Sequence, residues 1–312
     1  MAHLEQVGEL ELIRQLAAVL SSGPGVITGI GDDCAVVSYN AQDNTDLVFT
    51  SDAVIEGTHF KEGCEPCRIG HKAVGRVLSD LAAMGAVPRW AHINLVAPPE
   101  AEIAYIREIY TGAQKLAGRH GLVICGGDTA SSAPLALHVF AAGTVEHGGA
   151  VTRSGAAAGQ GIYVTGTLGF SQQTGKHLDF LPRVAEGRWL RDYAGAMLDV
   201  SDGLAVDLAR LIQASDCGAL LEADLIPVSE FAGAQAAPSE KLSHALYDGE
   251  DFELLFTVRQ EKASGFMDAW QSAFNTPCRR IGTTTAQSGL LEWINPDNQR
   301  ATLPQGGWLH YS

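Results

Sequence analysis

The stretch Pro66–Ala86, PCRIGHKAVGRVLSDLAAMGA, decides how the rest of the chain is read. Ile69, Ala73, Val77, Leu81 and Met84 recur at helical spacing and Gly85 stops the pattern, so a helix is predicted over 66–86. Asp80 sits inside that apolar pattern, flanked by Leu78, Leu81 and Ala82. Aspartate is a poor interior helix residue, and burying its carboxylate without a partner is costly. Two readings follow. Either Asp80 lies on the solvent face, or it points inward and needs a metal ion or an arginine.

Working outward, aspartates recur beside Gly or Ser: Asp32 and Asp33 in GIGDD, Asp52 in TSD, Asp128 in GGDT, and Asp199 and Asp202 in DVSDG. Each group follows or adjoins a short apolar run, which places carboxylates at element ends where they can converge. Converging carboxylates repel unless something positive sits between them, and Mg²⁺ commonly bridges carboxylates to substrate phosphates. The functional reading is a Mg²⁺-dependent site that handles phosphate. Each motif also has a plainer reading. GIGDD is a turn with Asp as turn-former. In DVSDGL, Ser201 or Asp202 caps the helix predicted over 202–215, although a helix N-terminus also suits phosphate. GGDT follows the strand-like LVIC and reads as a carboxylate at a strand end, with glycines allowing close ligand approach. Arg153 in VTRSGA suits a phosphate oxygen or is an ordinary exposed arginine. His59 in EGTHF contacts a substrate or is a satisfied histidine near a strand end. Glu250 and Asp251 in YDGEDFELLF repeat the acidic turn before a strand.

Composition bounds these readings. The 312 residues are 46% hydrophobic and 18% charged, which suits a globular protein of two domains. A net charge of −15 argues against nucleic-acid partners and means that a polyanion would need metals, helix N-termini and a few placed cations. No apolar run reaches the roughly 18–20 residues of a membrane helix. Residues 1–20 read as an amphipathic helix and not a leader, so a cytoplasmic location is expected. Among six cysteines, Cys64 and Cys67 form a lone CxxC without the further ligands of a zinc site. Cys34 and Cys125 lie in strand-like runs and are expected to be buried.

Strands are expected at 35–37, 46–50 and 90–97, in LVIC and in LALHVFAAGTV, with a helix over 100–119. GG at 148–149 marks a domain boundary, giving domains 1–148 and 149–312. The second half offers strands at 162–166, in MLDVS and ALLEA, and at 253–258, with helices over 202–215, near 240–247 and around 261–274, then a tail. This mix predicts an α/β chain of α+β type. Walker A, GxGxxG and the protein-kinase set are absent, so any ATP is held another way.

Taken in order, GIGDD, TSD with HF seven residues on, LSDLAAMGA, GGDT, VTRSGA, YVTG, DVSDGL, ASDCGA and GEDFELLF resemble the thiamine-monophosphate kinase family, of the aminoimidazole ribonucleotide synthetase-like superfamily. The resemblance implies ATP-dependent phosphorylation of thiamine monophosphate with several Mg²⁺ ions and no covalent phosphoenzyme. It implies a homodimer whose N-terminal mixed sheets build a shared barrel, with a C-terminal α/β sandwich completing the cleft. By this resemblance Asp33, Thr50, Ser51, Asp52, Asp80, Asp128, Asp199 and Asp202 form the metal set. Gly127, Asp128, Arg153 and Ser201 contact ATP, and His59, Glu250 and Trp308 contact the thiamine substrate. The segment GTLGFSQQTGKHLDFLPRVAEGRWL departs from the family pattern, keeping His177, Pro182 and Arg183 in similar places. That departure leaves open a paralogue with another phosphorylated acceptor, beside a non-catalytic Mg-nucleotide binder and a two-metal phosphohydrolase.

Overall fold

The computed structural model describes residues 9–20, 23–40, 44–231 and 237–307. Two sheets and the helices between and behind them make four layers. The first sheet contains β1 (Val26–Thr28), β2 (Ala35–Asn40), β3 (Thr45–Ile55), β4 (Val87–Ala97), β5 (Val123–Ser131) and β6 (Ala136–Glu146), in the order β1-β2-β3-β6-β4-β5. Its ladders are antiparallel except β4–β5, which is parallel and therefore needs a crossover. Helix α3 (Ile103–Arg119) supplies it.

Strand alternation sorts this sheet into two faces. Val48, Val54, Ile93, Leu137, Val139 and Ala141 face inward and are buried, whereas Trp90 and Phe140 on the other face are 48% and 44% exposed. The inner face is covered by α2 (Pro66–Ala83) and α3. Ile69, Val77, Leu78 and Leu81 of α2 are fully buried, and truncating one such leucine to alanine costs about 2–5 kcal/mol. Helices α2 and α3 approach so closely that a Cβ at Gly70 would lie 1.8 Å from the Ile109 carbonyl oxygen, and one at Gly112 would lie 1.9 Å from that of Cys67. Only glycine fits there.

The second sheet contains β7 (Gly161–Thr165), β8 (Ala194–Asp199), β9 (Gly218–Glu222), β10 (Leu254–Val258), β11 (Cys278–Thr285), β12 (Leu291–Ile294) and β13 (Arg300–Thr302), in the order β13-β12-β9-β11-β7-β10-β8. The stretch after 274, read from sequence as a tail, thus supplies three strands. One face of this sheet packs towards α2, together with α6 (Val184–Leu190) and α9 (Phe266–Ala273). The hydrophobic core runs without a break from Leu78 and Leu81 to Met197, Phe256 and Trp270. The opposite face buries a second core under α7 (Leu204–Ala214) and α8 (Pro238–Tyr247). The remaining helices are α1 (Glu9–Val19) and two single turns, α4 (Ser171–Thr174) and α5 (Lys176–Asp179). Helix α2 is therefore sandwiched between the sheets, and whatever its polar residues present lies in the seam between the two halves. Among the described residues no helix is long and apolar enough to cross a membrane.

Cys34 is buried as expected, but Cys125 is exposed. Strand β5 is an edge with an uncovered outer face, so an apolar run there does not imply burial.

Candidate active site

The geometry starts on α2. Arg68, Lys72, Arg76 and Asp80 are four residues apart, so they form one stripe along the helix. Each meets a partner across the seam or on the first sheet. Arg68 forks onto Asp179 at 3.0 and 2.6 Å. Lys72, fully buried, donates to the His59 carbonyl at 2.7 Å and to Glu250 Oε1 at 2.5 Å. Arg76 Nη2 donates to Asp52 Oδ1 at 2.7 Å. Asp80 Oδ2 accepts from the Thr50 hydroxyl at 2.5 Å. Asp80 thus points inward, and its nearest support is a hydroxyl, not an arginine.

Asp80 meets Asp33 and Asp199 there. One carboxylate oxygen of each lies within 4.8 Å of the others. Asp199 ends β8 and accepts from the Ser79 hydroxyl at 2.5 Å. Asp33 lies in the bend two residues before β2; its Oδ1 accepts from Arg153 Nη2 at 2.6 Å, while its Oδ2 is buried with no hydrogen-bond partner among the described residues. Burial pushes all three carboxyls upward, Asp80 and Asp199 far so; negative neighbours add to the rise at Asp80 and Asp199, whereas Arg153 opposes it at Asp33. Such a set cannot ionise fully by itself. It fits a hard divalent cation: the donors are all oxygens, and one buried carboxylate oxygen lacks a proton donor. If bound there, Mg²⁺ would neutralise the cluster and hold phosphate oxygens.

The two aspartates of GIGDD divide the alternatives between them. Asp32 is a turn-former, accepting from the Asp33 and Arg153 backbone N–H groups, while Asp33 reaches the cluster. The capping reading of DVSDGL does not hold. Gly203, at φ +113°, is the N-cap of α7 and no side chain caps that helix. Asp202 instead pairs with Arg210, which also binds Asp207 at 2.9 Å, and the Asp202 N–H donates to Asp207. The turn before β10 is strained: Glu250 and Phe252 sit at φ +55° and +51°, in the left-handed region. Backbone bonds from Glu250 to Ser201 O and from Phe252 to Val200 O hold it against the DVSDG loop. Strain maintained in this way is commonly found at functional sites.

The cluster, Arg76 and Arg210 line a cleft of about 1090 Å³ that also includes Thr50, Asp52, Arg153, Ser201 and Asp202. A smaller pocket of about 30 Å³ adjoins it, lined by His59, Gln172, Asp248 and Glu250. It has room for a water or two but not for a substrate ring. His59 accepts the Ile55 N–H on Nδ1 at 3.0 Å, which leaves Nε2 to carry the proton of the neutral ring.

Not every sequence candidate gathers here. Ser51 is exposed and lies on the opposite face of β3 from Thr50 and Asp52, by strand alternation, but it still lines the cleft at its rim. Gly127 and Asp128 lie within β5 and not at a strand end. Asp128 is in register with Asn94, and β4 and β6 separate its strand from β3. Gly127 packs so tightly that a Cβ would fall 1.9 Å from the Ile93 carbonyl oxygen. Trp308 lies outside the described residues. Lys72, Arg76, Ser79, Asp207 and Arg210 were not singled out from sequence. The four-residue spacing from Arg68 to Asp80 is the signal that would have found two of them.

A two-layered mixed-sheet pair clasping a carboxylate-lined cleft defines a class. Residues 31–145 match the AIR synthase related protein N-terminal domain, and residues 122–292 match the AIR synthase related protein C-terminal domain. Thiamine-monophosphate kinase of Escherichia coli (strain K12) is 36% identical over 326 residues, covering 98% of each chain. The solved thiamine-monophosphate kinase of Stenotrophomonas maltophilia K279a is 33% identical, with a TM-score of 0.74 over 93% of this chain and 96% of that one. A structure described as AaThiL complexed with AMPPCP and TMP reaches a TM-score of 0.85 at 28% identity, covering 99% of both chains. This chain belongs to the thiamine-monophosphate kinase family.

Proposed function

We propose that this protein transfers the γ-phosphoryl group of ATP directly to thiamine monophosphate, giving thiamine diphosphate and ADP, in the cleft between its two sheets. The observation that carries the reading is the buried Asp33–Asp80–Asp199 cluster on the floor of a cleft large enough for a nucleotide. A relative solved with AMPPCP and TMP supports both substrates. The acceptor is already an ionised phosphate, so no general base is required; placement and charge neutralisation suffice. Arg153 and Arg210, on the cleft wall, are placed to orient donor phosphates, with Ser201 beside them. His59 and Glu250 mark the acceptor end. Its pocket is small, so admitting thiamine monophosphate requires the 248–252 turn and the 170–172 segment to give way.

We assign Mg²⁺ to Asp33, Thr50, Asp52, Asp80, Asp199 and Asp202, where it would screen the two approaching phosphates. Ser51, at the rim of the cleft, is kept in the metal set, and Gly127 and Asp128 join the site in a homodimer, in which the uncovered face of the first sheet, with Trp90 and Phe140, is buried against a second copy. Trp308 is kept as an acceptor contact. We place the domain boundary at 148/149, just past β6, and the enzyme in the cytoplasm. The test is ADP and thiamine diphosphate formation from Mg-ATP with and without thiamine monophosphate. Product that needs both substrates and disappears with EDTA is expected. ADP formation without thiamine diphosphate would overturn the acceptor.

A further inference from the structure

The large cleft and the small pocket share four wall residues, Arg76, Ser201, Asp202 and Phe252, of which Arg76 alone is a cation. If the donor triphosphate lies at the carboxylate cluster and the acceptor phosphate lies towards His59 and Glu250, the phosphoryl group passes the place where these walls meet. We propose that Arg76 is a catalytic residue that hydrogen-bonds the phosphoryl group in transit. The inference rests on the kinase reading above and deepens it.

Three features of Arg76 support this role. First, its guanidinium is held but not saturated. Nη2 donates to Asp52, while Nε is buried and has no partner among the described residues. Arginine carries five N–H donors in a rigid fork suited to phosphate oxygens, and an unmade buried donor is costly. Secondly, its position is fixed by packing. Its Cζ lies 5.9 Å from the centroid of the Phe252 ring, and that ring is stacked on Phe180 at 4.0 Å. Phe252 is one of the left-handed residues of the strained turn, so the turn and the arginine are positioned together. Thirdly, its present partner, Asp52, is assigned to the metal. Asp52 would be shared between a bound cation and Arg76, so the guanidinium would keep donors to turn to phosphate.

In the step itself an acceptor phosphate oxygen bonds the γ-phosphorus as the bond to the β,γ-bridging oxygen breaks. The electron pair of that bond remains on the β-phosphate of ADP, and no proton is transferred. Negative charge spreads over the three equatorial oxygens in flight. An arginine aimed at those oxygens stabilises the transition state more than either ground state.

The wild-type enzyme is assayed first for thiamine diphosphate, because a wild type that forms none refutes the kinase reading and not Arg76. With that activity in hand, Arg76→Met and Arg76→Lys are compared. Arg76→Met is expected to lower kcat about 10³-fold with KM for both substrates within about threefold, as for arginines that act on transferring phosphoryl groups. Binding of ADP–aluminium fluoride in the presence of thiamine monophosphate should weaken by a similar factor, while AMPPCP binding is kept. Arg76→Lys, which retains the charge but not the fork, is expected to recover about tenfold of the lost rate. An Arg76→Met enzyme with kcat within about threefold of wild type overturns the proposal, as does equal weakening of the fluoride complex and AMPPCP, the mark of a merely structural ion pair. Should Arg76→Met not fold, Arg76→Lys decides alone: a kcat at least about tenfold down with KM unchanged supports the role, and an unchanged kcat refutes it.

Discussion

At one end of the seam, Asp80 and Asp199 rest on hydroxyls, those of Thr50 and Ser79. At the other end, Glu253 is gripped by Nε and Nη2 of Arg183 at 2.7 and 2.8 Å and lies 3.2 Å from Lys176, while Glu250 is paired with Lys72. Both regions bury carboxylates about equally deeply, yet they respond oppositely. Burial pushes Asp80 and Asp199 far up, and neighbouring charges push the same way. Burial also pushes Glu253 up, but the Arg183 hydrogen bonds and the Lys176 charge outweigh it, and the net shift is down. Glu253, gripped by Arg183 and Lys176, is finished when the chain folds. Where a carboxylate brings only a hydroxyl, the site stays incomplete until a cation arrives from outside. The first arrangement builds the scaffold of the 250–253 turn, and the second builds chemistry.

The sharpest way to break this distinction is Asp80→Asn. We expect kcat to fall about 10³-fold, the scale of losing a group that organises transition-state charge. In EDTA the same variant should melt no lower than wild type, because the buried carboxyl it replaces is supported by the Thr50 hydroxyl and by no cation. Steady-state thiamine diphosphate formation and calorimetry check both halves. His59→Ala, whose ring lies at the acceptor end, should lose far less activity; equal losses in the two variants would remove the distinction between the ends.

Arg183→Met attacks the finished end. Breaking a buried pair strands Glu253 and should lower stability by about 3 kcal/mol. Urea unfolding should show the same loss with and without Mg²⁺. A loss that Mg²⁺ repairs would mean that Glu253 belongs to the metal end after all.

Much of this contrast was legible beforehand at the metal end and little of it elsewhere. Asp80 stood out because a carboxylate inside an apolar helical repeat needs an explanation, and Asp33 and Asp199 stood out beside their glycines and serines. Lys72 and Arg76 did not, because a cation on a helix is ordinarily solvated, and only the second half of the chain packing over α2 buries Lys72 and half-buries Arg76. Periodicity found α2 because it has one continuous buried face. It missed β11, β12 and β13, whose residues are largely half-exposed and whose parallel pairing of β12 with β9 joins positions some seventy residues apart. Asp128 reads from sequence as a carboxylate at the end of the LVIC strand, whereas β5 runs on through it, and its place on the far edge of the sheet is a property of strand order, which local sequence does not encode.

The smallest effect is in the pH dependence of stability, and its sign discriminates. Asp32 and Asp251 are pushed up to about 6 and Asp207 to about 7, each chiefly by burial, and Asp80 and Asp199 are also raised. For each of these groups the folded state binds a proton that the unfolded state has released between the unfolded pKa, near 4, and the raised folded one. The metal-free protein should therefore lose stability as pH rises from about 5 to about 8. Glu253, shifted down, acts in the opposite sense only below about pH 4.5, while His120 and His177, lowered chiefly by burial, oppose the fall below about pH 6.5, so the carboxyl slope is cleanest above that pH. Saturating Mg²⁺ favours the ionised cluster and should flatten the part of the slope owed to Asp80 and Asp199, leaving that of Asp251, which faces Ser171 and Lys176. Urea midpoints followed across this range in EDTA and in Mg²⁺ measure the difference. A slope that is the same in both would place the raised carboxyls outside the reach of any metal, and a rising slope in EDTA would mean that the cluster carries a cation of its own.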